Sequence, residues 1–193
     1  MGSVTSLYLA ADETADALLT EDPFALLTGM LLDQQVPMET AFAGPAKLAA
    51  RLDEFTPRAV AAMDAETFVE VFREKPAVHR FPGSMAGRVQ DLARTITEDY
   101  DGDAAGIWTH GDPDGPEVLR RLKVLPGFGE QKARIFLALL GKQYGVDVTG
   151  WREAAGEYGE DGAMISAADV VDAVTLTQVR ENKKARKAAA KKA

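Results

Sequence analysis

The sequence of 193 residues contains no cysteine and only two histidines. Without cysteine the chain forms neither a disulfide nor a site built on thiolate ligands, which excludes cysteine-ligated zinc and iron–sulfur clusters. The two histidines, His79 and His110, lack the spacing of a zinc-binding motif. We therefore expect no metal site of either kind in this chain.

Long hydrophobic runs are missing as well. The most apolar stretch, residues 24–32, is shorter than the length that a helix needs to cross a bilayer. Residues 1–4 lack the basic and then apolar layout of a secretory signal. We therefore expect a cytoplasmic protein without a membrane partner, large enough to bury the core of one or two small lobes.

Basic charge is scarce in most of the chain. The net charge is −8, which argues against a protein that coats nucleic acid over its whole surface. Residues 180–193 nevertheless contain seven Lys or Arg and one Glu, so this segment carries +6 and the preceding residues carry −14. We interpret it as a frayed helix or a disordered tail, which either holds DNA phosphates loosely or only aids solubility.

Most of the chain has the periodicity of amphipathic or buried helices. Residues 73–83 and 101–115 are predicted to be loops, and Ser166–Asp169 resembles a capping box for the last helix. Further helix starts are indicated by Asp12 or Thr14, Pro23, Pro37, Thr56, Asp64, Met85 and Asp114. These patterns predict an all-α protein.

The most informative motif is a tight turn at residues 125–129, Leu-Pro-Gly-Phe-Gly, followed directly by an apolar helical pattern. Gly127 and Gly129 permit backbone angles that a side chain would forbid, and Pro126 stiffens the start of the turn. The unpaired amides of the following helix's first turn, with its positive dipole end, suit a phosphate. The motif therefore predicts binding to a nucleic-acid backbone.

Residues 118–124 and 133–144 have helical apolar spacing on either side of this turn. Helix, hairpin and helix together resemble the DNA-binding element of the HhH-GPD superfamily of base excision repair glycosylases, whose hairpins commonly read Leu-Pro-Gly-x-Gly. Residues 26–35 and 87–93 are similar to two further helices of that superfamily, in the same order. A purely structural turn between two helices is the alternative interpretation of the hairpin taken alone.

The resemblance implies an all-α fold of two lobes over residues 1–179, with the hairpin at 125–129 and a basic tail at 180–193. It implies double-stranded DNA as the partner and a nucleoid-associated location, and we expect a monomer. The absence of cysteine places the chain near the branch without an iron–sulfur cluster. No organic cofactor is implied, although family hairpins hold K⁺ or Na⁺ on backbone carbonyls.

The resemblance also assigns individual DNA contacts. Gln35 matches the glutamine that enters the duplex where the target base has been displaced, and its alternative is a solvent-facing residue at a helix end. Aromatic candidates for gripping that base are Phe42, His79, Phe81, Trp108 and Trp151, each of which also suits a core. The predicted contacts in the hairpin and the next turn are Leu125, Pro126, Gly127, Phe128, Gly129, Gln131 and Lys132.

Asp147 is the candidate catalytic residue. In the superfamily a carboxylate behind the hairpin's second helix stabilises an oxocarbenium-like sugar or activates water. Asp147 follows Leu125 by 22 positions, a shorter spacing than the family's. Its alternative role is that of a helix-capping or turn residue.

A lyase activity is not expected. Lyase members of the superfamily use a lysine two positions after the last hairpin glycine, and Gln131 occupies that position here. The neighbouring Lys132 is rotated by roughly 100° on a helix and is predicted to touch a phosphate instead.

The resulting hypothesis is a monofunctional DNA glycosylase that hydrolyses the N-glycosidic bond of a flipped damaged or mispaired base. The alternative is a non-catalytic DNA-binding or scaffold protein with the same fold. A helical protein–protein adaptor without affinity for DNA is the third interpretation.

Overall fold

A computed structural model describes residues 5–193, and this part of the chain is helical without a strand. Residues 1–4, which begin the predicted region 1–179 and were assessed for a signal, lie outside the described residues. The helices are α1 (Glu13–Glu21), α2 (Pro23–Leu32), α3 (Met38–Arg51), α4 (Pro57–Ala62), α5 (Ala65–Arg73), α6 (Pro82–Asp99), α7 (Gly106–Thr109), α8 (Gly115–Lys123), α9 (Glu130–Gln143), α10 (Trp151–Ala155) and α11 (Ala173–Lys192). Short 3-10 turns lie at Gly156–Gly159 and Ala167–Asp169.

Most helix starts follow from local capping chemistry that the sequence displays. The side chains of Asp12, Asp22, Thr56, Asp64 and Asp114 each accept a hydrogen bond from an amide of the helix that follows. Proline occupies the first or second position of α2, α4, α6 and α8, where its missing amide costs nothing. The predicted starts at these residues are confirmed, except that α6 begins at Pro82 rather than Met85.

Two local predictions were wrong. The capping box of Ser166 and Asp169 closes the 3-10 turn Ala167–Asp169, whereas α11 begins under a separate box formed by Asp172 and Thr175. The segment 101–115, predicted as a loop, contains α7 with Trp108 buried. A capping box is a local motif that can cap a short 3-10 turn as readily as a long helix. The sequence of Ser166–Asp169 therefore did not show which element it caps.

The helices pack in two lobes, as predicted. Helices α1–α6 contact mainly one another and form the first lobe, while α7–α11 and the 3-10 turns form the second. One continuous hydrophobic core runs through both. Its centre is α2, in which every residue from Phe24 to Leu32 is buried.

The two ends of α9 lie near the two ends of α2 in the opposite order. The Lys132 ammonium near the start of α9 lies 3.2 Å from the carbonyl oxygen of Leu31 near the end of α2. At the opposite end, burial and the nearby Asp22 carboxylate raise the pKa of Tyr144 to about 12. The first turn of α9 therefore lies beside the end of α2.

Small residues bring α10 close to α8 and α9. A Cβ atom on Gly141 would lie 2.4 Å from the indole of Trp151, so only glycine fits at this crossing. The Gly115 amide, at the start of α8, donates to the Thr149 carbonyl at 2.7 Å. These contacts fix the loop 144–150 at the start of α8.

The last helix contacts both lobes. Its first half buries Leu176 and Val179, and its second half, residues 180–193, is exposed. Arg180 pairs with Glu39 of α3, and Arg186 lies 2.9 Å from Glu157 in the 3-10 turn after α10. The basic tail is therefore the second half of α11. Among the described residues, no helix is long and apolar enough to cross a membrane.

Candidate nucleic-acid interface

The hairpin between α8 and α9 is anchored by its two large apolar residues. Leu125 and Phe128 are buried, the Phe128 amide donates to the Leu125 carbonyl at 3.0 Å, and the Phe128 ring packs edge-on against Phe136 at 5.9 Å. Gly127 has φ +77°, a left-handed conformation of the kind that the sequence predicts for both hairpin glycines, whereas Gly129 has φ −103° and extended backbone that any residue adopts. Burying these side chains leaves the hairpin backbone, including Gly127 and Gly129, exposed.

The start of α9 is open. The N-cap residue of α9 is Gly129, which has no side chain that could accept a hydrogen bond from the amides of the first turn. A Cβ atom on Gly129 would meet no described atom within 4 Å, so packing inside this part of the protein does not require a glycine there. Val124, at the other side of the hairpin, is an exposed apolar residue. The arrangement can accept an anion at the amides of α9, with apolar contact beside it.

The hairpin is seated on the end of α2. A Cβ atom on Gly127 would lie 3.0 Å from the Leu31 side chain, so the backbone approaches α2 closely. The Lys132 ammonium donates to the carbonyl oxygens of Leu31 at 3.2 Å and Asp33 at 3.3 Å. Lys132 therefore binds the carbonyl end of α2 in the structure, and its predicted phosphate contact stays a prediction.

Residues 31–35, which we call the α2 corner, are held by side chains from distant parts of the chain. His79 lies with Nε2 3.2 Å from the Leu32 oxygen and 3.0 Å from the Gln34 oxygen. Arg88 of α6 donates to the Gln34 side chain at 2.8 Å. The following residue, Gln35, is exposed and has φ +57°, an unusual conformation for a residue with a side chain. The contacts of Leu32 and Gln34 thus hold the backbone that leads into Gln35.

The ionisable groups of the corner have perturbed pKa values. Burial raises the pKa of Asp33, and the nearby Glu39 adds to this, while the charges of Lys183 and Lys132 oppose it. Burial lowers the pKa of Lys132, with Asp33 opposing and Arg88 adding to the effect. A half-buried carboxyl and a half-buried amine therefore lie close enough, where α2 meets α9, for each to influence the pKa of the other.

A pocket of about 230 Å³ opens beside the corner. It is lined by Gln34, Gln35, Phe81, Ser84, Met85 and Arg88. Phe81 is 40% exposed there, and the Arg80 guanidinium lies 5.0 Å from its ring centroid. The other aromatic candidates, Phe42, His79, Trp108 and Trp151, are buried.

The structure does not bring Asp147 to this surface. Asp147 is exposed in the loop 144–150, which is fixed between Leu140 of α9 and Gly115 of α8. The hairpin lies at the other end of both helices. Gln131 is exposed, its amide donates to the Tyr158 hydroxyl at 3.0 Å, and its predicted contact with DNA stays a prediction. The catalytic role of Asp147 stays a prediction.

Sequence reasoning did not identify Asp33, Glu39, Arg88 or Lys183 as members of this site. The only local signal was Asp33 itself, an acidic residue directly after the apolar residues 24–32 with no basic residue close to it in the sequence. The partners come from α3, α6, α9 and α11, so they become visible only once the chain is folded.

Comparisons with known proteins bear on the same region. Residues 28–192 match a family described as the HhH-GPD superfamily base excision DNA repair protein, and this range includes the α2 corner, the hairpin and α9. Among solved structures, the chain is similar to a trapped endonuclease III–DNA covalent intermediate in an estranged-adenine complex. The two are 16% identical, the alignment covers 86% of this chain and 81% of that chain, and the TM-score is 0.46. A search of curated proteins found no match.

Proposed function

The chain belongs to the HhH-GPD superfamily of base excision DNA repair proteins, and we propose that it is a DNA glycosylase without lyase activity. In this proposal it binds double-stranded DNA, displaces a damaged or mispaired base and hydrolyses its N-glycosidic bond. The observation that carries the proposal is the hairpin with an open α9 terminus, packed against the α2 corner that carries Gln35.

DNA binding follows from the exposed backbone of the hairpin. The amides at the start of α9 can hold a phosphate independently of base sequence. Gln35 and the pocket at Phe81 lie beside the α2 corner, where a polar plug would fill the space left by a displaced base. The basic second half of α11 adds salt-sensitive attraction to an otherwise acidic protein.

Hydrolysis without a lyase step is proposed from the residue types at the start of α9. Gln131 carries an amide and cannot form a Schiff base with the sugar. Lys132 donates to two carbonyl oxygens of the α2 corner, which opposes attack by its amine. Water is therefore the nucleophile of the proposed reaction.

The cofactor and location follow the same proposal. The reaction needs no organic cofactor, and a K⁺ or Na⁺ ion is proposed on the hairpin carbonyls, since an oxygen that already accepts one amide retains a second lone pair. A nucleoid-associated monomer in the cytoplasm is the expected form of the protein.

Single-turnover base release tests the proposal. Duplexes carrying deaminated, oxidised, alkylated or mispaired bases are incubated with excess protein at low salt, and free base is measured. Release from any of them supports the glycosylase, with Asp147→Asn as the direct test of the carboxylate that the resemblance assigns. Binding of duplex DNA without release of a base from any of these duplexes overturns the proposal that the protein is a glycosylase.

The second candidate is a DNA-binding protein that retains the fold without the chemistry. The observation in its favour is the position of Asp147 at the end of α8 and α9 away from the hairpin. This candidate predicts duplex binding, no release from any substrate, and no effect of Asp147→Asn on affinity.

A further inference from the structure

The proposed hydrolysis needs a carboxylate beside the hairpin, and the position of Asp147 does not supply one. Lys132 lies in the first turn of α9 and Tyr144 follows its end, so the two lie about 18 Å apart along the helix at 1.5 Å per residue. Asp147 follows Tyr144 by three residues, in the loop fixed at the start of α8. A catalytic carboxylate must therefore come from the residues near the hairpin end of α9.

Three of these carboxylates are already paired with a cation. Glu130 binds Arg134 at 2.9 Å, Glu157 binds Arg186 at 2.9 Å, and Glu39 binds Arg180. Asp33 differs, because within residues 5–193 its carboxylate oxygens accept no hydrogen bond and form no ion pair at contact distance. It is half-buried at the carbonyl end of α2.

We propose that Asp33 is the catalytic carboxylate of this protein and acts on the sugar of the nucleotide displaced beside Gln35. The inference rests on the proposed function and assigns its reaction to a residue of the first lobe. Asp33 is two residues before Gln35, and its own carbonyl oxygen receives the Lys132 ammonium. The reaction centre then lies where the hairpin meets the α2 corner.

The chemical step is a hydrolysis that balances without a further reactant. The bond between C1′ and the base nitrogen breaks, and the base leaves with the bonding pair and takes a proton from solvent. A water oxygen forms the new bond to C1′, and its proton passes to the Asp33 carboxylate, which returns it to solvent. Before water attacks, the negative charge of Asp33 stabilises the oxocarbenium-like sugar.

The surroundings of Asp33 suit this role. Lys132 and Lys183 keep positive charge near the carboxylate, and Glu39 lies close enough to influence it electrostatically. Partial burial removes water that would otherwise screen the developing charge on the sugar. The left-handed backbone of Gln35 is a strained conformation of the kind that clusters at functional sites, where surrounding contacts hold it.

Substitution of Asp33 tests the inference in the base-release assay on the full chain. Asp33→Asn should lower the single-turnover rate at least about 100-fold, the usual lower bound for a general base. Because the change removes a negative charge, affinity for duplex DNA should stay equal or rise. The control is Asp53→Asn, an exposed carboxylate between α3 and α4, which should leave the rate unchanged.

Chemical rescue separates catalysis from a structural effect. In Asp33→Ala, added formate should restore part of the rate, because a small carboxylate can enter the space and accept the proton. A merely structural role predicts no rescue.

The outcomes separate the inference from the proposed function. Release by the wild type that persists in Asp33→Asn, or that is lost only in Asp147→Asn, overturns the role of Asp33 and leaves the glycosylase intact. No release by the wild type from any duplex overturns both.

Discussion

The side-chain ammonium of Lys132 lies 3.3 Å from the backbone carbonyl oxygen of Asp33, two residues that are 99 positions apart in the sequence. The contact joins the first turn of the hairpin helix to the end of the most buried helix of the first lobe. A lysine at a helix C-terminus also interacts favourably with the negative end of the helix dipole. The orientation of the hairpin relative to Gln35 therefore depends on this side chain.

Removing the Lys132 ammonium should destabilise the protein. Lys132→Met keeps most of the apolar stem but leaves the carbonyls of Leu31 and Asp33 without their charged donor, at a cost of about 1.5–3 kcal/mol. Urea denaturation measures the free energy of unfolding. The matched control is Lys123→Met. The Lys123 ammonium forms a long ion pair of 3.9 Å with Glu130 at the surface, so its removal should cost little stability. Equal losses in the two variants would contradict the role of Lys132 at the corner.

Borohydride should trap no covalent complex between the wild type and a duplex that contains an abasic site. A trapped complex requires an amine that attacks the sugar, and Gln131 supplies none. Denaturing electrophoresis after reduction shows whether protein and DNA are linked. A trapped band that disappears in Lys132→Met would show that this amine attacks after all, which its lowered pKa would favour.

A negative charge at the N-terminal cap of α9 should lower the affinity for DNA. Gly129→Asp and Gly129→Asn both place a good helix cap in open space, so both should fold at least as well as the wild type. Only aspartate adds a negative charge where the phosphate is proposed to lie. Gly129→Asp should bind duplex DNA about tenfold more weakly than Gly129→Asn, about 1.4 kcal/mol, in a fluorescence anisotropy titration at low salt. Equal affinities would place the phosphate elsewhere.

Asp33→Asn should stabilise the folded protein near neutral pH. Burial raises the pKa of Asp33 in the folded state, so the stability associated with its neutral form is fully present below the unfolded pKa and is lost as pH rises through the folded pKa. Asparagine does not ionise and avoids this loss. The difference in unfolding free energy should favour the variant at pH 7 and vanish below pH ~4, the ordinary range of this carboxyl. A less stable variant at pH 7 would show that the carboxylate supports the fold.

The sequence predicted the features that depend on neighbours in the chain. The left-handed Gly127 and the helix starts at Pro23 and Asp64 follow from local turn and capping chemistry. The α2 corner was not predictable in this way. Its position depends on Lys132 reaching Leu31 across 101 positions and on His79 reaching Leu32 across 47, and no local pattern encodes such contacts.

Length and locality also explain the missed elements. Helix α7 has only four residues, which are too few to show a helical period. It is stabilised by the burial of Trp108 in the core rather than by helix propensity. For Asp147, the residue type was visible, but its distance from the hairpin depends on where the chain turns after α9.

Two ion pairs of α11 connect the last helix to both lobes. Arg180 holds a carboxylate of α3 and Arg186 holds one beyond α10, and both arginines are about half exposed. Exposed pairs of this kind contribute at most about 1 kcal/mol each and weaken as salt rises. A truncation that removes Arg186 therefore also removes the contact of α11 with Glu157, and the ionic strength that weakens binding to phosphates weakens both ion pairs as well.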